Sequence, residues 1–163
     1  MTRSGVLIVA ALLAVVSQGC ASSPGPTPAP AADARPLVAR EVRTAAALIR
    51  LGEPLPPAVA RQSTADTVVA IPAAGIARAQ AVRAHLTPTG LVRMLWVDYA
   101  QSANYAAMVA EYASTLGRPR REAYRTGERV WWEDGATRFE LVRDPERSVS
   151  TVFGVLTDLR AAP

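Results

Sequence analysis

From Thr67 onward the apolar residues of this chain recur with the spacing of extended backbone, and they return to a helical spacing only over residues 102–116. Strands place alternate side chains on opposite faces, whereas a 3.6-residue period gathers them into one stripe. A chain patterned this way closes a core by laying a helix on a sheet. The strand candidates are Val68-Val69-Ala70-Ile71, Ala79 to Leu86 and Leu91 to Tyr99, followed by a meander punctuated at Thr126-Gly127, Asp134-Gly135 and Asp144-Pro145. Thr87-Pro88-Thr89-Gly90 supplies proline at the second turn position and glycine where a positive φ is needed, which predicts a hairpin. In the helix, Tyr105, Met108, Val109, Tyr112 and Leu116 form the stripe, Ser102 is the expected cap, and Gly117 and Pro119 end it.

Asp134-Gly135 predicts a two-residue turn pairing Trp132 with Thr137, Trp131 with Arg138 and Val130 with Phe139. Val130, Trp132, Phe139 and Leu141 would then face the core, with Arg129, Trp131, Arg138 and Glu140 behind them. Val149, Thr151, Phe153 and Val155 join the face of Phe139 and Leu141 only if an odd number of residues is left unpaired at Asp144. A loop of three or five residues is therefore expected there. The core prediction places Tyr112 and Val109 against Phe139, Leu141 and Phe153.

Upstream, Val38, Val42, Ala45 and Ile49 recur on one helical face, and Gly52 and Pro54 stop the pattern, which predicts a peripheral helix over 37–51. Residues 53–65 are proline-rich and irregular. The expected fold class is α+β: a mostly antiparallel sheet of about five to seven strands with helix 102–116 on one face, in a single domain over 37–160.

The first 20 residues carry an address. One positive charge at Arg3 precedes the apolar run Val6 to Val16, then Ser17-Gln18-Gly19-Cys20. Eleven apolar residues suit an export signal and are too few to span ~30 Å of hydrocarbon at ~1.5 Å per residue. A small residue directly before a lone cysteine resembles the lipobox of bacterial lipoproteins, although Ser17 and Gln18 depart from its commonest form. The resemblance implies cleavage after residue 19 and acylation of Cys20; ordinary secretion, with cleavage after Ala21, is the competing reading. Residues 21–36, ASSPGPTPAPAADARP, read as a tether reaching roughly 50 Å when extended at ~3.1 Å per residue. Ala21 and Ser22 lack the aspartate that in some bacteria retains lipoproteins at the inner membrane. That favours the outer membrane, facing the periplasm, where the cell has one.

Several function classes lack support in the composition. All 18 basic residues are arginine and the formal net charge is +4, a spread bias and not the concentrated basic face of a nucleic-acid binder. The single cysteine precludes an intramolecular disulfide. One histidine, His85, sits between Ala84 and Leu86 on a strand and reads as structural; a metal site needs several converging ligands. Neither a GxSxG nucleophile elbow nor a glycine-rich phosphate loop occurs, and no cofactor is expected.

Two features stand out as candidate binding surface. Arg118, Arg120, Arg121, Arg125 and Arg129 follow the main helix, either as solvated strand positions or as a patch for lipid headgroups, cell-wall polymer or an acidic partner. Trp131 lies beside Trp132, so alternation leaves it on the outer face. There it could be covered by the first helix, stack with Arg138, or anchor a partner.

The order helix, Leu116-Gly117-Arg118-Pro119, then antiparallel meander with tryptophan resembles the small envelope lipoproteins that assist outer-membrane barrel assembly, the SmpA/BamE type, over roughly Tyr105 to Leu156. The hairpin before the helix departs from that family's two-helix start. The sequence as a whole is read as a lipid-anchored envelope protein acting as a non-catalytic binding or scaffold module with a possible envelope protein partner. The alternatives are a binder of envelope polyanions and a small hydrolase.

Overall fold

A computed structural model of the protein describes residues 38–60 and 67–161, all within the unit Ala34–Pro163. The signal segment, Cys20 and the tether lie outside the described residues. Two short strands, β1 (Glu41–Arg43) and β2 (Leu48–Arg50), precede a single helical turn, α1 (Pro57–Ala60). Strands β3 (Val68–Ile71), β4 (Ala79–Leu86) and β5 (Val92–Tyr99) lead to helix α2 (Tyr105–Leu116). The chain then runs through β6 (Arg120–Tyr124), β7 (Gly127–Glu133), β8 (Thr137–Arg143) and β9 (Val152–Asp158). Seven strands form one antiparallel sheet in the order β3-β4-β5-β9-β8-β7-β6, and β1 pairs with β2 in a second. The last strand inserts at the centre, joining the two meanders, and its residues are buried on both faces. A sheet-rich α+β fold results. No helix among the described residues is long and apolar enough to cross a membrane.

Helix α2 covers one face. Met108 and Val109 are buried among Leu95, Val130, Trp132, Leu141 and Leu156, and the Tyr112 ring meets the edge of Phe139 at 4.6 Å. Its N-cap is Asn104 and not Ser102: the Asn104 Oδ1 accepts from the Ala107 amide at 3.1 Å. At the far end Gly117, at φ +79°, donates its amide to the Ala113 carbonyl, and its own carbonyl accepts the Trp132 indole N–H at 2.8 Å.

Where a helix was expected over 37–51, the described residues from Val38 on form a β-hairpin. The reason is a degeneracy in the pattern. Val42 and Ile49 stand seven apart, which puts them on one helical face but also directly opposite each other in the β1–β2 pair. The buried Thr44 decides between the two, because its hydroxyl accepts from the amides of Ala46 and Ala47 and so makes a turn. Nor is the segment peripheral: Val38, Ile49 and Leu51 belong to the main core.

Two loops differ from expectation. Glu133 pairs with Arg138, leaving four residues in the turn instead of two, since the Asp134 Oδ1 captures the amides of Ala136 and Thr137 at 3.0 and 2.9 Å. The register moves by two, so every side chain keeps its expected face. At Asp144 the consequence is larger. Arg143 pairs with Val152, so eight residues intervene, an even number. Phe153 and Val155 therefore stand opposite Val142 and Glu140, on the reverse face from Phe139, Leu141 and Tyr112. The loop is itself a built structure: Asp144 and Ser150 are buried, and the Ser150 hydroxyl donates within 2.6 Å of the Tyr99 carbonyl. Gly154 takes the place on the helix face that Phe153 was expected to fill.

Candidate functional site

The reverse face of the sheet holds a second, smaller cluster of Val142, Phe153 and Val155, with Met94, Trp96 and Tyr124 packed against it and no helical residue among them. Apolar sheet left without a helix needs another cover, and here it is charged side chains lying flat. Trp96 and Phe153 stack with centroids 4.5 Å apart and planes 10° from parallel. The Arg147 guanidinium sits 4.7 Å from the Phe153 centroid and 5.2 Å from that of Trp96, and the Arg83 guanidinium lies 5.5 Å from Trp96.

Asp98 fixes this arrangement. Its carboxylate is 3% exposed and accepts from Arg83 at 2.7 Å on Oδ2, and from Arg147 at 2.6 Å and the Trp96 indole at 3.1 Å on Oδ1. A buried carboxylate is tolerable only when so matched, and these are short, charge-assisted bonds. Beside them opens a cleft of about 290 Å³ lined by Arg83, His85, Trp96, Tyr124, Arg125, Asp144, Arg147 and Phe153. Arg125 reaches the buried Asp144 at 3.4 Å. Three guanidinium groups thus meet two carboxylates, and the cleft keeps a net positive charge. Burial and then the neighbouring Arg83 hold the His85 pKa below its ordinary value, so His85 is neutral at pH 7.

The arginines singled out in the sequence lie mostly elsewhere, and their charge is answered. Arg120, Arg129, Trp131 and Arg138 share the reverse face with Glu122, Glu133 and Glu140. Arg120 bonds Glu133 at 3.1 Å, Arg138 bonds Glu133 at 2.7 Å, and Arg129 bridges Glu122 and Glu140. Arg121 points to the helix side of the edge strand and bonds Glu128 at 2.8 Å. Arg118 follows the helix cap, is exposed, and has no carboxylate partner among the described residues. Of the set, only Arg125 lines the cleft. Trp131 is half-buried, with the guanidinium of Arg129, and not of Arg138, 5.7 Å from its ring centroid.

Sequence reasoning missed Arg83, Trp96, Asp98 and Arg147. A signal was present at Asp98, the one acid in the run Leu91–Tyr99, whose other residues apart from Arg93 are apolar or aromatic, since such a residue demands buried partners. Among the described residues no group of three or more histidine, cysteine or acidic side chains converges as a metal site would require. No family model matches the chain, and neither a curated protein nor a solved structure does.

Proposed function

We propose that this chain is a lipid-anchored protein of the cell envelope working as a non-catalytic binding module, and that it takes an anionic group of an envelope polymer or lipid into the Arg83–Arg147 cleft. The anchor rests on the export signal ending at Cys20. The observation that carries the binding reading is the stacked Trp96–Phe153 pair under two guanidinium groups held in place by one buried carboxylate. Guanidinium groups fixed before a ligand arrives lose little freedom on binding, and their planar forks match phosphate and carboxylate. Trp96 and Tyr124, both partly exposed at the cleft, offer apolar contact to a sugar ring or glycerol backbone carrying that anion. At about 290 Å³ the cleft admits one headgroup-sized unit, being just under the ~300–1,000 Å³ usual for ligand sites. A neighbouring lattice of three arginines and three glutamates is internally neutral, so the polyanion reading moves from the 118–129 segment to this cleft.

Sedimentation tests it, using the chain from Ala21 onward, which keeps every described residue, with vesicles containing anionic phospholipid in one arm and purified anionic cell-wall polymer in the other. Binding in one arm, weakening as salt shortens the Debye length from ~30 Å at 0.01 M to ~8 Å at 0.15 M, is the expected result. Arg83→Gln with Arg147→Gln should lower affinity about tenfold or more, and Arg120→Gln with Arg138→Gln about twofold at most. Binding in neither arm, or an equal loss from both double variants, overturns the assignment.

A further inference from the structure

The helix-covered face holds a second, larger cavity. A groove of about 510 Å³ opens between the β1 end of the hairpin, helix α2 and the sheet, walled by side chains such as Val42, Ile76, Tyr112, Leu116, Phe139 and Leu156. Its volume is in the middle of the ~300–1,000 Å³ range of small-ligand sites. Gly154 keeps it open at the sheet, where an added Cβ would lie 3.2 Å from both the Phe139 ring and the Tyr99 hydroxyl. This cavity is the product of the even-numbered loop that put Phe153 on the reverse face and glycine here.

The charges around the groove are unequal. Glu41 pairs with Arg50 at 3.0 Å, an arginine that also lies 3.8 Å from Glu53, and Glu111 pairs with Arg78 at 2.9 Å. Arg43, exposed and also lining the groove, has no carboxylate partner among the described residues. The polar atoms inside add no negative charge: the Tyr99 and Tyr112 hydroxyls lie 3.4 Å apart, and burial and then Tyr112 raise the Tyr99 pKa, so it stays protonated. An apolar channel with one unmatched cation suits a molecule with one apolar tail and one negative end.

We infer that this groove binds a long-chain fatty acid, with the alkyl chain lying between α2 and the sheet and the carboxylate at Arg43. The site is independent of the cleft on the reverse face, and either can fail without the other. Transferring the chain from water into the groove drives binding in proportion to the apolar surface it buries, against the costs of association. The pairing with Arg43 sets the preference for an acid over a neutral analogue.

The test is titration of the chain from Ala21 onward with cis-parinaric acid, followed by energy transfer from tryptophan and by displacement with oleate. Trp132, 6.0 Å from Tyr112, is close enough to report. Saturable binding of one equivalent is expected, with oleate competing and oleyl alcohol competing about three- to tenfold less well. Ala77→Trp fills the groove from an exposed loop position and should weaken binding at least tenfold; Thr115→Trp, exposed on α2, does the same from the other wall should the first variant fold poorly. Arg43→Glu should abolish the preference for the acid, whereas Arg120→Gln, at an exposed position on the reverse face, should change nothing. Absence of saturable binding, or binding that both filling variants leave intact, overturns the inference.

Discussion

Replacing Asp98 by asparagine keeps the shape of the side chain and removes its charge, which isolates the role of the carboxylate beneath the cleft. Two guanidinium groups and one indole now converge on its two oxygens. Asparagine offers one oxygen, so at least one arginine must face an amide N–H₂ and the surviving bonds become neutral. Hydrogen bonds to charged groups contribute about 1.5–3 kcal/mol each, and neutral ones about 1 kcal/mol. Arg83 and Arg147 keep 40% and 23% of their side-chain surface exposed, so both recover part of the loss in water. The expected net effect of Asp98→Asn is therefore about 2–3 kcal/mol of lost stability. At about 4 °C per kcal/mol for a domain of this size, the midpoint of thermal unfolding should fall by about 8–12 °C. Urea unfolding gives the free energy directly, and near-ultraviolet circular dichroism should register the loosened Trp96–Phe153 stack. A variant within about 0.5 kcal/mol of the parent, with that spectrum unchanged, would show that Asp98 does not hold the two arginines.

Leu141 is fully buried beneath α2, so Leu141→Ala should cost about 2–5 kcal/mol in urea unfolding; a smaller loss would mean that the helix is not packed there. Asp134 and Asp158 have pKa values below the ordinary range. Burial opposes ionisation in each, but the amides of Ala136, Thr137 and Val38 outweigh it at Asp134, and the Arg160 amide with the Arg40 guanidinium does so at Asp158. Depressed folded values mean stability that is complete above the unfolded value of ~3.9 and lost as pH falls through the lower ones. Melting profiles should therefore drop below about pH 4, and Asp158→Asn should be less stable at pH 7 yet flatter in acid; parallel profiles would refute this. Cys20→Ser should move the protein from the membrane to the soluble fraction, and an unchanged membrane fraction would sink the lipid anchor.

Several elements were legible because their signals were local and redundant. Helix α2 combined an apolar stripe with a glycine stop, and the 87–90 turn combined proline with glycine, so misplacing the cap by two residues did no harm. The hairpin at Asp134 kept its faces because a slip of two residues preserves parity, whereas the loop after Arg143 changed parity and reversed Phe153. Its length is set by tertiary contacts of Asp144 and Ser150 that no local pattern encodes. The first helix failed for a related reason, since an i, i+7 pair fits a helix and a short hairpin equally. Arginines near the helix drew notice by their density, but cross-strand register, not density, decides which find glutamates and which remain to meet a ligand. The cleft joins residues 83, 96, 98, 125 and 147 from two strands and two loops, and only the sheet order brings them together.

The claim that this face binds an anion through Arg83 and Arg147 is tested most directly by observing the arginines themselves. With uniformly ¹⁵N-labelled protein from Ala21 onward, the guanidinium Nε–Hε resonances can be followed while inorganic phosphate, and then the vesicle or polymer that sedimentation selects, is added at low salt. The Arg83, Arg125 and Arg147 signals should move together and saturate with one apparent affinity, while those of Arg120, Arg129 and Arg138 stay in place among their glutamates. Movement confined to Arg118 or spread evenly over the surface arginines would contradict the account.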